Sequence, residues 1–165
     1  MGSYSRLSFV FQMKLSVQQK AQIFDQCILP ALTYGAETWV MTREILHKLQ
    51  VAQRAKERKR VGVTLSDRKT NKLLRNQSKV ADISKRIAKV KWEWAGHIAR
   101  KHNSWCKRIL EWRPWDQTRP RGRPQMRWKD DIKTVAGSNW IQTAQDRGKW
   151  RGLKEAYTKQ LVDVG

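Results

Sequence analysis

The sequence predicts an all-α protein: an irregular helical bundle and a small helical C-terminal part, joined by an Arg/Pro-rich loop. Apolar residues recur at intervals of three and four along most of the chain, as in amphipathic helices. No stretch alternates with period two between hairpin turns. Three of the four prolines fall within residues 113–125. We therefore expect a helical region at 1–112, a basic linker at 113–125 and a helical extension at 126–165.

The first predicted helix begins after Ser16, which has capping-box spacing to Gln19. Its apolar pattern continues to about Val40. Pro30 lies inside this pattern and should kink or split the helix near Leu29, because proline cannot donate the backbone hydrogen bond.

Two further helices are predicted before residue 80. Thr42 can cap the second helix and Gly62 can end it. The apolar positions that predict its buried face are Leu46, Leu49, Ala52 and Ala55. Ser66 is the expected cap of a short third helix.

The clearest amphipathic pattern spans about residues 80–101. Its apolar stripe comprises Val80, Ile83, Ile87, Val90, Trp94 and Ile98. The basic residues expected elsewhere on the cylinder are Lys85, Lys89, Lys91 and Arg100. Shorter helices are predicted after Ser104, up to Gly137 and around Trp140, and a last one from Trp150 to Leu161. The chain has nine tryptophans, and most lie on apolar stripes, which favours packing in the core.

Charge dominates the composition. The 165 residues include 35 Lys or Arg and 14 Asp or Glu, so the net charge is +21 and the pI is near 10.7. Such an excess opposes compaction and indicates a polyanionic partner, nucleic acid first. Cys27 and Cys106 give no disulfide framework, and we find neither a secretory signal nor a membrane-spanning run. We expect an intracellular protein, nuclear or cytoplasmic, that is not secreted and contacts no membrane.

The sequence offers no constellation for catalysis. Asp130 and Asp131 are adjacent, so on a helix they point about 100° apart and are expected to act as charges at a helix N-terminus. The spacings of His97, His102 and Cys106 match no zinc pattern. Gly-rich phosphate loops and nucleophile elbows are missing as well. We therefore expect no catalytic residue, metal or cofactor.

Two basic segments are the candidate nucleic-acid contacts. The first contains Arg54, Lys56, Arg58, Lys59 and Arg60. The second contains Arg119, Arg121, Gly122, Arg123, Arg127, Trp128 and Lys129. Lysine and arginine displace the counterions of a nucleic-acid backbone, and Trp128 is expected to stack on an unpaired base. The alternatives are a solvated helix face for the first segment and a hinge for the second, with its arginines paired to Asp116, Asp130 and Asp131.

The string Pro120-Arg121-Gly122-Arg123-Pro124 also resembles an AT-hook core, a short element that binds the minor groove of AT-rich DNA. Independent DNA binding through this string is therefore a second hypothesis. A third is a protein-interaction module, which exposed apolar area around Leu32, Trp39 and Leu46 would favour.

A longer resemblance lies in residues 27–39, which read Cys-Ile-Leu-Pro-Ala-Leu-Thr-Tyr-Gly-Ala-Glu-Thr-Trp. This stretch resembles the segment just beyond the polymerase palm in non-LTR retrotransposon reverse transcriptases. The other stretches that resemble the RTE-type branch of these elements are Gln53–Ala55, Trp92–Arg100, Gly122–Pro124, Arg127–Ile132, Ala144–Arg147 and Trp150–Arg151. The resemblance covers about residues 2–161.

The resemblance implies a thumb and C-terminal extension. In the family the helical thumb holds the template–primer duplex beside the palm, while the element copies its RNA into DNA at a nicked target. The implied partners are RNA, an RNA–DNA or DNA duplex, and the palm domain. The family's catalytic Tyr/Phe-Ala-Asp-Asp motif and its endonuclease domain are missing here. We therefore expect binding without polymerisation, in a fragment or in a domesticated or truncated element.

Two positions depart from the family pattern. Lys56 stands where relatives usually have Met, and Arg60 stands where an apolar residue is usual. If that face packs, two buried charges would be costly. Either the face is open because the palm that covers it is missing, or this copy of the element is decaying.

Overall fold

The structure is a computed structural model, and it describes Phe11 and residues 13–101, 105–111, 122 and 126–164. Every regular element in these ranges is helical, so the predicted all-α class is confirmed. The chain forms two compact units. Among the described residues, the first unit contains those up to Tyr34 and 44–86, and the second contains 35–43 and those from Ile87 onward.

The division between the units differs from the boundary expected at residues 113–125. It falls inside a helix, between Arg86 and Ile87. Trp92 and Trp150, which lie on either side of 113–125 in the sequence, pack in one core. The linker expected at 113–125 stays a prediction. Gly122 alone of that segment lies within the described residues.

Helix α1, Val17–Ile23, begins as predicted. Ser16 Oγ accepts a hydrogen bond from the Gln19 amide at 3.2 Å, and Gln19 Oε1 accepts one from the Ser16 amide at 3.0 Å. This reciprocal capping box satisfies two backbone donors that no helical carbonyl can reach.

Pro30 splits the helical segment near Leu29, as the sequence predicts. A π-helical turn, Phe24–Ile28, leads into the short helix α2, Leu29–Leu32, with Pro30 in its first turn. A proline is tolerated there because the first turn does not need its amide. The helix ends at Leu32 and not near Val40, since Gly35 takes a left-handed conformation with φ 71°.

Helix α3, Arg43–Val61, follows Thr42 and ends at Gly62 as predicted. Gly62 has φ 71°, and the Val63 amide donates to the Arg58 carbonyl at 3.0 Å, which closes the helix. The buried face, however, is polar over most of its length. Its members are Leu46, Gln50, Gln53, Glu57 and Arg60. The predicted stripe is therefore wrong beyond Leu46, and Ala55 is exposed.

The partner of this polar face explains its composition. The face packs on residues 78–84, which present backbone groups and serine hydroxyls. Gln53 Nε2 donates to the Ala81 carbonyl at 2.7 Å, and its Oε1 accepts from the Ile83 amide at 2.9 Å. Gln50 Nε2 donates to Ser84 Oγ at 3.0 Å. Buried amides are stable where each finds such a partner.

Helix α4, Asn71–Ser78, completes the helices that lie wholly in the first unit. Its cap is Thr70, whose Oγ1 accepts from the Leu73 amide at 3.3 Å. The prediction of a cap at Ser66 is wrong, because Thr64–Asp67 forms a turn of its own, closed by a 2.7 Å hydrogen bond from the Thr64 amide to Asp67.

The remaining helices are α5 Ile83–Arg100, α6 Trp105–Glu111, α7 Asp130–Ala136, α8 Trp140–Thr143 and α9 Arg147–Val164. The core of the second unit is built around aromatic rings, as the sequence predicts. Trp92 on α5 stacks on Trp150 on α9, with ring centroids 4.0 Å apart and an interplanar angle of 11°. Trp105 does not share this core, since 70% of it is exposed.

Helices α5 and α9 approach closely at this stack. Trp92 Nε1 donates to the Trp150 carbonyl at 2.9 Å, and Trp150 Nε1 donates to the Trp92 carbonyl at 3.1 Å. Gly96 makes the approach possible, because a Cβ atom there would lie 2.8 Å from Cδ1 of Trp150. The reciprocal bonds satisfy both indoles inside the core.

Lys91 lies at the centre of the second unit, although the sequence predicts it on the outer face of its helix. Its Nζ is 2.6 Å from Asp131 Oδ2, which also accepts from the Tyr157 hydroxyl at 3.0 Å. Burial lowers the pKa of Lys91, and Asp131 opposes that shift. Burial and Asp131 together raise the pKa of Tyr157. A buried ammonium is tolerated here because its counter-charge is in hydrogen-bond contact.

Candidate nucleic-acid interface

The first predicted basic segment occupies the C-terminal half of α3. Because Gln53, Glu57 and Arg60 fill the buried face, the remaining cations lie on the flanks and outer side of the helix. Lys59 is exposed, and the half-buried members are Arg54, Lys56 and Arg58. These four residues present positive charge over more than one side of α3.

Arg60 is the exception, since only 7% of it is exposed. Its guanidinium donates to the Ser78 carbonyl and lies 6.0 Å from the centre of the Phe24 ring. The hydrogen bond and the ring offset part of the cost of burying the charge. The side of α3 that bears Arg60 is therefore buried and not open to solvent. Arg60 is not placed to contact a phosphate.

Glu57 lies beside Arg60 in the interior of the first unit. Its Oε2 accepts from the Ser78 hydroxyl at 3.1 Å. Burial raises the pKa of this carboxyl, and the hydrogen bond and nearby arginines oppose the shift only in part. The carboxyl of Glu57 is thus buried and not part of the exposed surface of the basic segment.

The exposed side of the segment continues onto α4. Arg58 donates to Asn71 Oδ1 at 2.8 Å, and Arg75 on α4 forms an ion pair with Asp82. Burial lowers the pKa of Arg54, and repulsion from Arg75 lowers it further. We call this region the α3–α4 basic surface; its members are Arg54, Lys56, Arg58, Lys59 and Arg75.

This surface carries groups of the kind that can bind an anion. Nε of Arg54 is buried and has no hydrogen-bond acceptor within the described part of the chain. Arginine forks match the geometry of phosphate oxygens, and clustered cations strengthen attraction to a polyanion.

The second predicted segment is described only in part. Arg119, Arg121 and Arg123 lie outside the described residues. Gly122 is exposed with φ 105°, a conformation that few other residues adopt. Arg127 is exposed, and its amide donates to Asp130 Oδ2 at 2.7 Å. That bond fits the hinge alternative at its C-terminal end, although it uses the backbone and not the guanidinium.

Trp128 is buried, with 8% exposed, which does not fit the stacking role expected from the sequence. Its Nε1 donates to the Glu37 carbonyl at 2.7 Å, and its ring packs edge-on against Trp94 with centroids 5.2 Å apart. Lys129 is half-buried, and its Nζ donates to the Leu110 carbonyl at 3.3 Å. These two residues hold the second unit together.

The acidic pair lies at a helix N-terminus, one of the positions that the sequence predicts for it. Asp130 and Asp131 begin α7, and each makes a separate contact, Asp130 to the Arg127 amide and Asp131 to Lys91. In the described ranges no three histidine, cysteine or acidic side chains are placed to hold a metal ion. No helix in those ranges is both long and apolar enough for a bilayer.

Exposed apolar area around Leu32, Trp39 and Leu46 would favour a protein-interaction module, and none of the three is fully exposed. Leu46 is fully buried in the first unit, and the other two are half-buried.

The structure adds a cleft that the sequence analysis missed. It lies between α5 and α9 in the second unit, has a volume of about 440 Å³ and is lined mostly by basic residues. Its lining residues are Trp92, Glu93, His97, Arg100, Arg147, Trp150, Arg151 and Lys154. The available signal was helical spacing, since 93, 97 and 100 share one face, as do 147, 151 and 154.

Comparison with known proteins supports an origin but not an activity. The chain is 34% identical over 145 residues to an uncharacterised transposon-derived protein of Caenorhabditis elegans. The match covers 79% of this chain and 52% of the relative, so the chain spans about half the relative's length. No family model and no solved structure matches the chain. The similarity supports a transposon-related origin.

Proposed function

We propose that this chain is a nucleic-acid-binding part of a retrotransposon reverse transcriptase of the RTE type, its thumb and C-terminal extension. It holds RNA or a template–primer duplex by the phosphates. The observation that carries the proposal is the α3–α4 basic surface. The transposon-related origin and the net charge of +21 agree with it.

A phosphate backbone suits this surface better than a small anion does. The cations extend along α3 from Arg54 to Lys59 and across to Arg75 on α4. Repulsion between Arg54 and Arg75 weakens when an anion binds near them, which favours occupancy. Contact with phosphates gives affinity with little preference for sequence.

In this proposal the chain binds and does not polymerise. The palm, with its catalytic aspartates and metals, belongs to another part of the parent protein, and so does the endonuclease. Incorporation of nucleotides by the purified chain on a primed RNA template would contradict this division.

The test is a filter-binding titration of the full chain with duplex DNA, RNA and RNA–DNA hybrid at several salt concentrations. If about six phosphates are contacted, affinity should fall on the order of a thousandfold between about 50 and 200 mM salt. Preference for AT-rich duplex over an RNA hairpin would favour the AT-hook-like string, most of which lies outside the described residues.

A pair of matched variants tests whether the contact lies on the C-terminal half of α3. Arg58→Gln with Lys59→Gln removes two charges from the basic surface, and the salt slope should fall by about two. The control, Arg43→Gln with Lys48→Gln, removes one arginine and one lysine from the other end of the same helix. Equal losses in both variants would mean that α3 attracts nucleic acid only through its net charge.

A further inference from the structure

The cleft between α5 and α9 lies above a well-packed part of the second unit. Its floor is the Trp92–Trp150 stack, held by the two reciprocal indole hydrogen bonds. Both rings are almost fully buried. The walls come from the first two turns of α9 and the facing side of α5. This packing sets how closely α5 and α9, the helices that carry the charged side chains, approach each other.

Positive charge in the cleft exceeds the negative charge that could neutralise it. Glu93 is its one acidic lining residue and forms an ion pair with Lys154. Arg100 donates to the Ala144 carbonyl at 2.9 Å, a neutral acceptor. Arg147 and Arg151 are exposed, and neither has an ion-pair partner among the described residues. Burial lowers the pKa of Arg100, and Arg147 lowers it further by repulsion.

Two backbone amides in the first turn of α9 already have a hydrogen-bond acceptor. Asp146 Oδ1 accepts from the amides of Gly148 and Lys149 at 2.9 and 3.1 Å. The helix terminus is therefore already capped, and the cleft acts through the guanidinium and ammonium groups of its side chains.

We propose that this cleft binds the phosphodiester backbone of a nucleic-acid strand, as a contact separate from the α3–α4 basic surface. The kind of ligand rests on the proposed function, whereas the location rests on the cleft itself. Arg147 and Arg151 lie one helical turn apart and supply two forks for phosphate oxygens. A volume of about 440 Å³ accommodates more than one isolated ion.

The cleft reads backbone and not bases. Trp92 and Trp150 stack on each other and are almost fully buried, so neither ring is accessible to a base in the way that single-strand binding proteins use. Binding through this cleft should therefore be insensitive to sequence.

The test compares two double variants of the full chain by titration with labelled single-stranded and duplex oligonucleotides. Arg147→Gln with Arg151→Gln should weaken binding by about tenfold or more and lower the salt slope by about two. The control, Lys149→Gln with Lys159→Gln, removes two charges from the same helix outside the cleft lining and should change affinity about twofold or less. Circular dichroism checks that both variants are folded.

Chemical modification of arginines in the unaltered chain gives a second test that does not depend on the stability of the double variant. Phenylglyoxal modifies accessible arginines, and mass spectrometry identifies the modified peptides. In the unaltered chain, bound oligonucleotide should protect Arg147 and Arg151 from the reagent. Full modification of both residues in the saturated complex would overturn the proposal.

The remaining outcomes separate this proposal from the proposed function. Equal losses in the cleft variant and its control would overturn the cleft and leave nucleic-acid binding in place. Loss of affinity for polyglutamate in the cleft variant, with nucleic-acid binding unchanged, would mean that the ligand is an acidic polypeptide, and would also overturn it. If the unaltered chain binds no oligonucleotide at all, the proposed function fails first.

Discussion

Gly96 shows how one missing side chain decides the packing of two helices. A Cβ atom at this position would collide with the indole of Trp150, whose Nε1 must reach the Trp92 carbonyl. In an open helix the same change would be favourable, because alanine is a better helix former than glycine by about 1 kcal/mol. Sterics and propensity therefore oppose each other here, and the sign of the measured effect tells which is larger.

We expect Gly96→Ala to lower the free energy of unfolding by about 1–2 kcal/mol, since overpacking a core usually costs more than helix propensity returns. The control is Gly152→Ala on α9, where a Cβ atom meets nothing within 4 Å. That variant should raise the free energy of unfolding by about 0.5–1 kcal/mol. Urea denaturation measures both, and stabilisation of equal size in the two variants would contradict the close contact at Gly96.

Asp131 gives a second test at the residue scale. Asp131→Asn leaves the Lys91 ammonium buried without a counter-charge, so we expect a loss of about 3–5 kcal/mol in the free energy of unfolding. Asp130→Asn changes the neighbouring carboxylate, which accepts from the Arg127 amide and acts on Lys91 only through longer-range attraction, and should cost about 1 kcal/mol or less. Similar losses in the two variants would show that Lys91 does not depend on Asp131.

At the scale of elements, the sequence predicted helices well where apolar spacing and capping residues agreed. Ser16, Pro30 and Gly62 each set a boundary that the structure confirms. On α3 the same reasoning failed beyond Leu46, because hydropathy cannot recognise a buried face made of Gln50, Gln53 and similar residues. Such a face is stable only when a particular distant segment supplies the hydrogen bonds.

The polar face of α3 should make stability depend on pH through Glu57. Burial raises its pKa above 4.5, so the folded state favours the protonated form. The stabilising contribution is therefore complete below pH 4.5 and is lost as the pH rises through the folded pKa. Glu57→Gln resembles the protonated form, and we expect it to be more stable than the unaltered chain at about pH 7, with no advantage below pH 4.5.

Glu44 on the same helix provides the opposite control. Its hydrogen bond with Lys48 lowers its pKa, so its contribution is present above pH 4.5 and is lost as the pH falls through the lowered pKa. Glu44→Gln should therefore reduce thermal stability slightly at neutral pH and have no effect in acid. Melting temperatures of the two variants across this pH range should diverge in opposite directions; parallel curves would contradict the burial of Glu57.

At the scale of the whole molecule, the net charge predicts a polyanionic partner. The sequence does not show which lysines and arginines are buried and which are exposed. Arg60 is predicted as a nucleic-acid contact and Lys91 away from the apolar stripe of its helix, yet both are buried with polar partners. Arg147 and Arg151, by contrast, can be recognised as cleft residues only when α9 is seen to pack on α5. Spacing within a helix is visible in a sequence, whereas the pairing of helices depends on contacts between distant residues.

The net charge of +21 leads to a prediction about salt. For the chain alone, salt screens self-repulsion, so the melting temperature should rise with ionic strength. For the complex, salt weakens phosphate contacts. Oligonucleotide at about 100 times its Kd stabilises the folded chain by about 2.7 kcal/mol at low salt. If affinity falls on the order of a thousandfold by about 200 mM, the added stability drops below about 0.1 kcal/mol.

The melting temperatures with and without oligonucleotide should therefore converge as salt is added. The melting temperature of the chain alone rises, and that of the complex falls toward it. Differential scanning calorimetry with and without oligonucleotide measures both trends in the same buffers. An uncharged methylphosphonate oligonucleotide is the control, and it should give no stabilisation at any salt concentration, because it has no counterions to release. Stabilisation that persists unchanged at high salt would mean that apolar contacts, and not the phosphates, hold the strand.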